Sequence, residues 1–524
     1  MTPVLSVQNY TLDYRTGGKD LRVLHDISLE VRPGEVLGLV GESGSGKSSL
    51  AWAIMRHLPK NAVEVTGGLR LGDLDLKAQT PKELTRIRGR RIGMVFQDPS
   101  TSLNPTLTIG AQLTEVLRLH RGLDRAGAEE EAKTLLAHVE LRDPAAILKR
   151  YPHEISGGEK QRVIIAGAFG CRPEFLIFDE PTTALDVITG ARILDLFARL
   201  RAETGVAALY ISHDLALVSR VADRVAVMKK GRLVEEAAAT EIFVRPVHAD
   251  TRALVEAVPR PERRLVDDRP SPEVLLAAER IEVTYGRKRL FRPAPAPSTK
   301  SVGFEVKRGE ILGVVGESGS GKSSIARALT GLADYTGEIR LDGRAIHGAA
   351  AMDRDYRRAV QIVFQHPDSS LNPRQRVGEI LSRPLKLFGG DLSSIPRLLE
   401  QVRLPAAYAE RWPHQLSGGE KQRVAIARAF AAKPALVVCD EITAPLDVSV
   451  QAQIVELLLD LRRETGTAYL FITHDLNLVR QIAHRIAVMR QGELVDLLAV
   501  DALGGPNVHP YTRALIDASP TPVG

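Results

Sequence analysis

The chain has 524 residues, 44% hydrophobic and 26% charged, with 43 Gly and 30 Pro. This is ordinary folded-protein usage that excludes collagen-like, coiled-coil and disordered classes and leaves room for two to four domains at roughly 100 to 200 residues each. A net charge of +6 with no basic run longer than Arg86 to Arg91 gives little support to nucleic-acid binding, and two cysteines, Cys171 and Cys439, are too few for a disulfide framework or a zinc site. No apolar run approaches the roughly 20 residues of a bilayer-spanning helix, and the first residues lack the pattern of a signal peptide; the expectation is a cytoplasmic protein that neither spans nor crosses a membrane.

In chain order, LSVQNYTLDY, LHDISLEV and GGLRLGDLDL alternate with period two between turn signals, which predicts a leading antiparallel β subdomain. The apolar run VLGLV then enters GESGSGKSS and a helical segment. This fills G-x-x-x-x-G-K-[ST] with Gly41, Gly46, Lys47 and Ser48, so Ser43, Gly44, Ser45 and Ser49 join them in lining a phosphate-binding loop. Glycines there let backbone N–H groups curl around phosphate oxygens at a helix N-terminus, the lysine neutralises β/γ charge, and Ser48 can ligate Mg²⁺. Gln97 follows Val-Phe at a strand end, where an amide can bind the metal or its water. FLIFDE ends an apolar strand in two acids, Asp179 for the metal shell and Glu180 to polarise an attacking water. His213, 33 residues further on in ALYISHD, ends another strand, where an imidazole can donate to a γ-phosphate. Alternation of short apolar runs with helical periodicity predicts α/β layering around a mostly parallel sheet.

The chain then repeats itself. The loop returns 275 residues later as Gly316, Ser318, Gly319, Ser320, Gly321, Lys322, Ser323 and Ser324; VFQ returns as Gln365 at an offset of 268. VCDE, ITHD and the tail VHPYTRAL come at an offset of 261, giving Asp440, Glu441 and His474. The second copy has therefore lost seven residues twice. A repeat of about 260 residues is a duplicated domain rather than a solenoid unit. The predicted division is a first domain over 1–259, a Pro-rich exposed connector over 260–273 and a second domain over 274–524.

The segments SGGEKQR at Ser156, Gly157, Gly158, Glu159 and at Ser417, Gly418, Gly419, Glu420 resemble the signature of ATP-binding-cassette (ABC) ATPases. With the loops already described, the resemblance covers nearly all of both halves. It implies two tandem P-loop cassettes, each a RecA-like core with an antiparallel β subdomain and a helical subdomain. It also implies intramolecular head-to-tail pairing, in which the signature of one half completes the ATP site of the other, and it places an adenine-stacking aromatic at Tyr14 and Tyr285. SLNP after each glutamine, VGESGSGKS and VHPYTRAL are similar to the importer subfamily for peptides and nickel, whose fused two-cassette members match this length. Implied partners are two separate membrane permease subunits and an external solute-binding protein, with this chain peripheral at the cytoplasmic face of a bacterial inner membrane, energising import of peptides, nickel, opine-like solutes or glutathione. A soluble tandem cassette acting on ribosomes or DNA is the competing expectation, disfavoured by the short connector and the missing zinc cysteines. Three departures stand out: VHADTRAL in the first tail, Ile442 where a proline is usual, and Ala444-Pro445 in the loop whose first-half counterpart holds Ala184-Leu185-Asp186. A proline there fixes φ, which leaves equal hydrolysis by the two halves an open question; with Glu180 and Glu441 both present, neither site is expected to be dead.

Overall fold

The computed structural model describes residues 2–183, 185–286, 296–444 and 446–519; Ala184 and Pro445 lie outside them. The chain divides into two compact units, the first chiefly Met1–Val258 and the second chiefly residues 259–519.

The first unit opens with β1 (Leu5–Thr16) and β2 (Lys19–Val31), which pair antiparallel; β4 (Ala62–Leu71) and β5 (Leu74–Asp75) complete a four-stranded sheet, after β3 (Val36–Gly41) has entered the core. The core sheet adds β6 (Ile92–Val95), β7 (Phe175–Asp179), β8 (Ala207–Ser212), β9 (Arg224–Lys229) and β10 (Arg232–Ala238), in the order β10-β9-β3-β8-β7-β6. All its pairings are parallel except β9 with β10. Strands covered on both faces must be apolar throughout, and β3, β6, β7 and β8 are buried at every residue. Helices Ile109–Arg121, Arg125–His138, Pro144–Lys149 and Gly157–Gly170 form the helical part between β6 and β7.

The second unit repeats this plan with β11 (Val274–Val283), β12 (Thr299–Lys307), β13 (Ile311–Val315), β14 (Thr336–Leu341), β15 (Arg344–Ile346), β16 (Val360–Val363), β17 (Leu436–Asp440), β18 (Ala468–Ile472), β19 (Arg485–Arg490) and β20 (Glu493–Ala499). Its sheets run β12-β11-β14-β15 and β16-β17-β18-β13-β19-β20. The two seven-residue losses fall where they cost least: β14 has 6 residues against 10 in β4, and helix Ile395–Gln401 has 7 against 14 in Arg125–His138.

Parallel sheets place their chemistry at the carboxyl ends of the strands, and β3, β7 and β8 deliver the phosphate loop, the paired acids and His213 to one edge. Glycine sets the closeness of one packing contact. A Cβ on Gly38 would lie 2.2 Å from Val218 Cγ1, and one on Gly313 would lie 2.2 Å from Val479 Cγ1, so each strand accepts its covering helix only as glycine. Cys171 and Cys439 are buried, and burial pushes the Cys171 thiol up to about 11.

Most of the connector is exposed, as its composition predicts, but it is docked rather than a loose tether. Pro261 and Val266 are buried, the Leu265 N–H donates to Gln481 O at 2.9 Å, and Gln481 Nε2 returns a 2.9 Å bond to Arg260 O. Asp268 takes both Nη atoms of the buried Arg462, one at 3.0 Å. Pro-rich polar composition marks the absence of a regular element, which says nothing against docking; backbone carbonyls and one carboxylate are enough to hold the segment onto the second unit.

Candidate functional site

Each loop is shaped by backbone that only glycine accepts. Gly41 has φ 156°, and a Cβ there would sit 2.2 Å from Met228 O on β9; Gly316 repeats this at φ 154° and 2.1 Å from Met489 O. Gly46 and Gly321, both at φ 102°, are the N-caps of helices Lys47–Ile54 and Lys322–Leu329, with no side chain capping either. The first-turn N–H groups are thus left for an anion. The buried hydroxyls Ser45 Oγ and Ser320 Oγ are among the described side-chain atoms without a hydrogen-bond partner. Uncapped amides and orphaned hydroxyls fit the phosphates of a nucleotide.

Lys47 Nζ is buried and donates to Gly41 O (2.8 Å) and Glu42 O (3.0 Å); Lys322 Nζ donates to Gly316 O and Glu317 O, both at 2.8 Å. Burial works against the charge of Lys47 and lowers its pKa, opposed by Glu180 and Asp179. Ser48 Oγ donates to Asp179 Oδ1 at 3.3 Å and Ser323 Oγ to Asp440 Oδ1 at 3.0 Å. Each pair offers the hard oxygen donors that suit a divalent cation such as Mg²⁺. Burial first, and Glu180 second, push the Asp179 carboxyl up to about 6 against the Ser48 bond and the Lys47 charge; Asp440 is raised in the same direction, chiefly by burial. A carboxylate so disfavoured in its charged form fits a place built for a cation.

Glu180 and Glu441 stand in left-handed backbone (φ 49° and 50°), held by N–H bonds of 3.0 Å to Ile211 O and Ile472 O. Glu180 Oε2 receives Gln97 Nε2 (2.9 Å) and Thr183 Oγ1 (3.1 Å) and lies 3.1 Å from His213 Nδ1. Burial raises the pKa of Glu180, but the bond and charge of His213 and the Lys47 charge outweigh it, so the carboxyl is held below its ordinary value. His213 is raised, because its Glu180 partner outweighs burial. In the second unit Gln365 Nε2 reaches Glu441 Oε2 at 3.0 Å and Lys322 Nζ lies 3.9 Å from Oε1. Ala444 replaces the Thr183 hydroxyl, and His474 is exposed, with no ion pair to Glu441 among the described residues. The halves differ at the acid itself, not only at Ile442.

The remaining sequence candidates divide. Ser156 and Ser417 cap the helices Gly157–Gly170 and Gly418–Phe430, and Glu159 and Glu420 close capping boxes by accepting the serine N–H at 2.8 Å. The glutamates therefore shape the helix start that presents Ser156, Gly157, Gly158, Ser417, Gly418 and Gly419. Tyr14 packs against the core with its hydroxyl 3.3 Å from Ser49 Oγ, Ser324 Oγ lies 2.7 Å from Ser298 Oγ, and Tyr285 is 45% exposed. Ser43, Gly44, Ser318 and Gly319 form the open tips of the loops, a Cβ on either glycine meeting nothing within 4 Å. Thr183 was missed by sequence reasoning; its position three residues after Glu180 was the available signal.

A family profile of ABC transporters matches residues 24–183 and 299–444, and one for the oligopeptide/dipeptide transporter C-terminal region matches 234–279. The chain is 40% identical to the glutathione import ATP-binding protein GsiA of Salmonella paratyphi A, covering 99% of this chain and 89% of that protein. It is 42% identical to the peptidoglycan transport ATP-binding protein YejF of Agrobacterium fabrum, covering 99% and 96%. A solved dimeric bacterial ABC transporter cassette is 29% identical over 45% of this chain and 98% of its own, at a TM-score of 0.41.

Proposed function

The chain belongs to the ABC transporter family as a tandem ATP-binding, ATP-hydrolysing protein, and from that premise we propose that it energises a membrane importer of peptides or a peptide-like solute such as glutathione. The observation that carries the ATPase part is the duplicated cluster of lysine, hydroxyl–carboxylate pair and glutamine-held glutamate at the strand ends. No helix among the described residues is long and apolar enough to cross a membrane. The proposal therefore includes two separate permease subunits, an external solute-binding protein and a peripheral position at the cytoplasmic membrane face. Similarity to GsiA and YejF over nearly the full chain supports the substrate class.

In this reading Ser48, Asp179 and Gln97, and Ser323, Asp440 and Gln365, hold Mg²⁺, which when bound neutralises charge on the β- and γ-phosphates. The loop amides and Lys47 or Lys322 seat those phosphates. Glu180 and Glu441 orient and polarise the attacking water; the Glu180 pKa, held low, keeps it ionised at neutral pH. His213 and His474 donate toward the γ-phosphate. The signature serines and glycines act on the nucleotide of the opposite half. In the same proposal the first cassette runs to Val258 and the second begins at Pro259, taking in the docked connector.

The test is Mg²⁺-dependent hydrolysis and vesicle uptake of glutathione and short peptides by Glu180→Gln, Glu441→Gln and the double variant, assembled with the permeases encoded beside this chain. Loss of all activity in the double variant, with unequal loss in the singles, is expected. Failure to bind any permease, with ribosomes co-purifying, would overturn the importer reading.

A further inference from the structure

The two tails are built alike but end differently. In each, an acid on the last core strand gathers the start of the tail helix: Glu235 accepts the N–H groups of Val247 and His248 at 2.8 Å, and Asp496 accepts the His509 N–H at 2.9 Å together with the Thr512 hydroxyl. The next pair has been exchanged. Lys229 and Asp250 form an ion pair in the first unit. At the same places in the second stand Arg490 and Tyr511, the guanidinium 5.0 Å from the ring centroid. Tyr511 is buried at 5% exposure, and its hydroxyl oxygen accepts the Glu317 N–H at 2.9 Å.

That N–H belongs to the phosphate loop, and its peptide plane carries the Gly316 carbonyl on the opposite edge. Lys322 Nζ donates to that carbonyl at 2.8 Å. A trans peptide points its C=O and N–H in opposite directions and rotates as one body. The tail tyrosine therefore fixes, through one rigid plane, the acceptor that seats the loop lysine. In the first unit Lys47 uses the equivalent Gly41 carbonyl at 2.8 Å, but Asp250 is engaged by Lys229 instead of supplying a phenol.

We propose that Tyr511 is a positioning residue for the second nucleotide site: it holds the Gly316–Glu317 peptide, and through it Lys322, in the orientation that receives nucleotide phosphates, a brace with no counterpart at the Glu42 N–H among the described residues. The inference rests on the reading that Gly316 to Ser324 binds ATP phosphates. Removing the hydroxyl leaves the plane free to turn, so ordering it becomes part of the cost of binding.

The test uses the full-length chain carrying Lys47→Ala, so that the second site reports alone, titrated with a fluorescent ATP analogue and Mg²⁺. Adding Lys322→Ala must abolish the signal; if it does not, the phosphate-loop reading itself has failed. Tyr511→Phe keeps the ring over Arg490 and is expected to weaken binding about 3- to 10-fold, the range for losing one net hydrogen bond, with KM for ATP raised more than kcat is lowered and the melting temperature lowered no more than in Thr512→Val. Thr512→Val, which loosens the helix start while sparing the phenol, is expected to leave affinity as it was. Unchanged affinity in Tyr511→Phe, or an equal loss in Thr512→Val, would overturn the proposal.

Discussion

Asp179 carries an electrostatic cost in the first site when no cation is bound, and Asp179→Asn measures that cost. Its carboxyl rises from the ordinary 3.8 to about 6. At 1.36 kcal/mol for each pKa unit, this is about 3 kcal/mol of destabilisation carried by the ionised form. A carboxyl raised on folding costs nothing below the unfolded value, costs more as pH climbs from about 4 to about 6, and carries its full penalty above that. Asparagine keeps an acceptor for Ser48 Oγ and has no charge to bury. Nucleotide-free protein in chelator at pH 7.5 is therefore expected to gain about 2–3 kcal/mol in the first unit, or about 5–10 °C in its melting transition at a domain size of 150–250 residues. The gain is expected to shrink to about 1 kcal/mol at pH 4.5 and to vanish only below the unfolded value near 3.8, while hydrolysis at that site is lost at every pH. Scanning calorimetry of parent and variant across pH 4.5 to 8 checks this. An unchanged or lower transition at pH 7.5, or a gain independent of pH, would refute the assignment of strain to this carboxylate.

Two further outcomes are expected. Gly41→Ala drives a Cβ to 2.2 Å from a main-chain oxygen that has no side-chain freedom to retreat, so nucleotide binding at the first site should fall below detection in a Lys322→Ala background, measured with the same fluorescent analogue. Thr183→Ala removes one of the donors on Glu180 Oε2 and should slow first-site hydrolysis about 3- to 10-fold in a Glu441→Gln background, read as single-turnover rate at saturating ATP, with affinity unchanged.

The phosphate loops, the acid pairs and the glutamines were legible because their chemistry demands fixed residue types at fixed spacing along a strand and its adjoining turn. The duplication made each reading testable within the chain, and the mostly parallel core sheet, though not its strand order, followed from apolar runs that only a doubly covered strand tolerates. Glu159 and Glu420 were legible in another sense: S-x-x-E is the pattern of a capping box, and the structure uses it so. The features that escaped depend on encounters between distant segments. Nothing local to HPYTRAL says that its tyrosine meets Glu317, nor does a Pro-rich stretch announce that Asp268 is the counter-ion of Arg462. The inequality of the histidines was hidden for the same reason, since the near-identical SHD and THD contexts leave His213 against Glu180 and His474 exposed.

The docked connector decides where this protein can be cut. A boundary drawn by composition, at residue 274, would produce a second half stripped of Asp268 and of the Arg260 and Leu265 backbone bonds, leaving the buried Arg462 guanidinium without its carboxylate. A cut between Val258 and Pro259 keeps those groups with the half that owns them. Separately expressed cassettes, tagged exchanges between relatives and fluorescent insertions all inherit that choice: the seam lies before the prolines, and the segment that reads as a tether is the outermost layer of the second cassette.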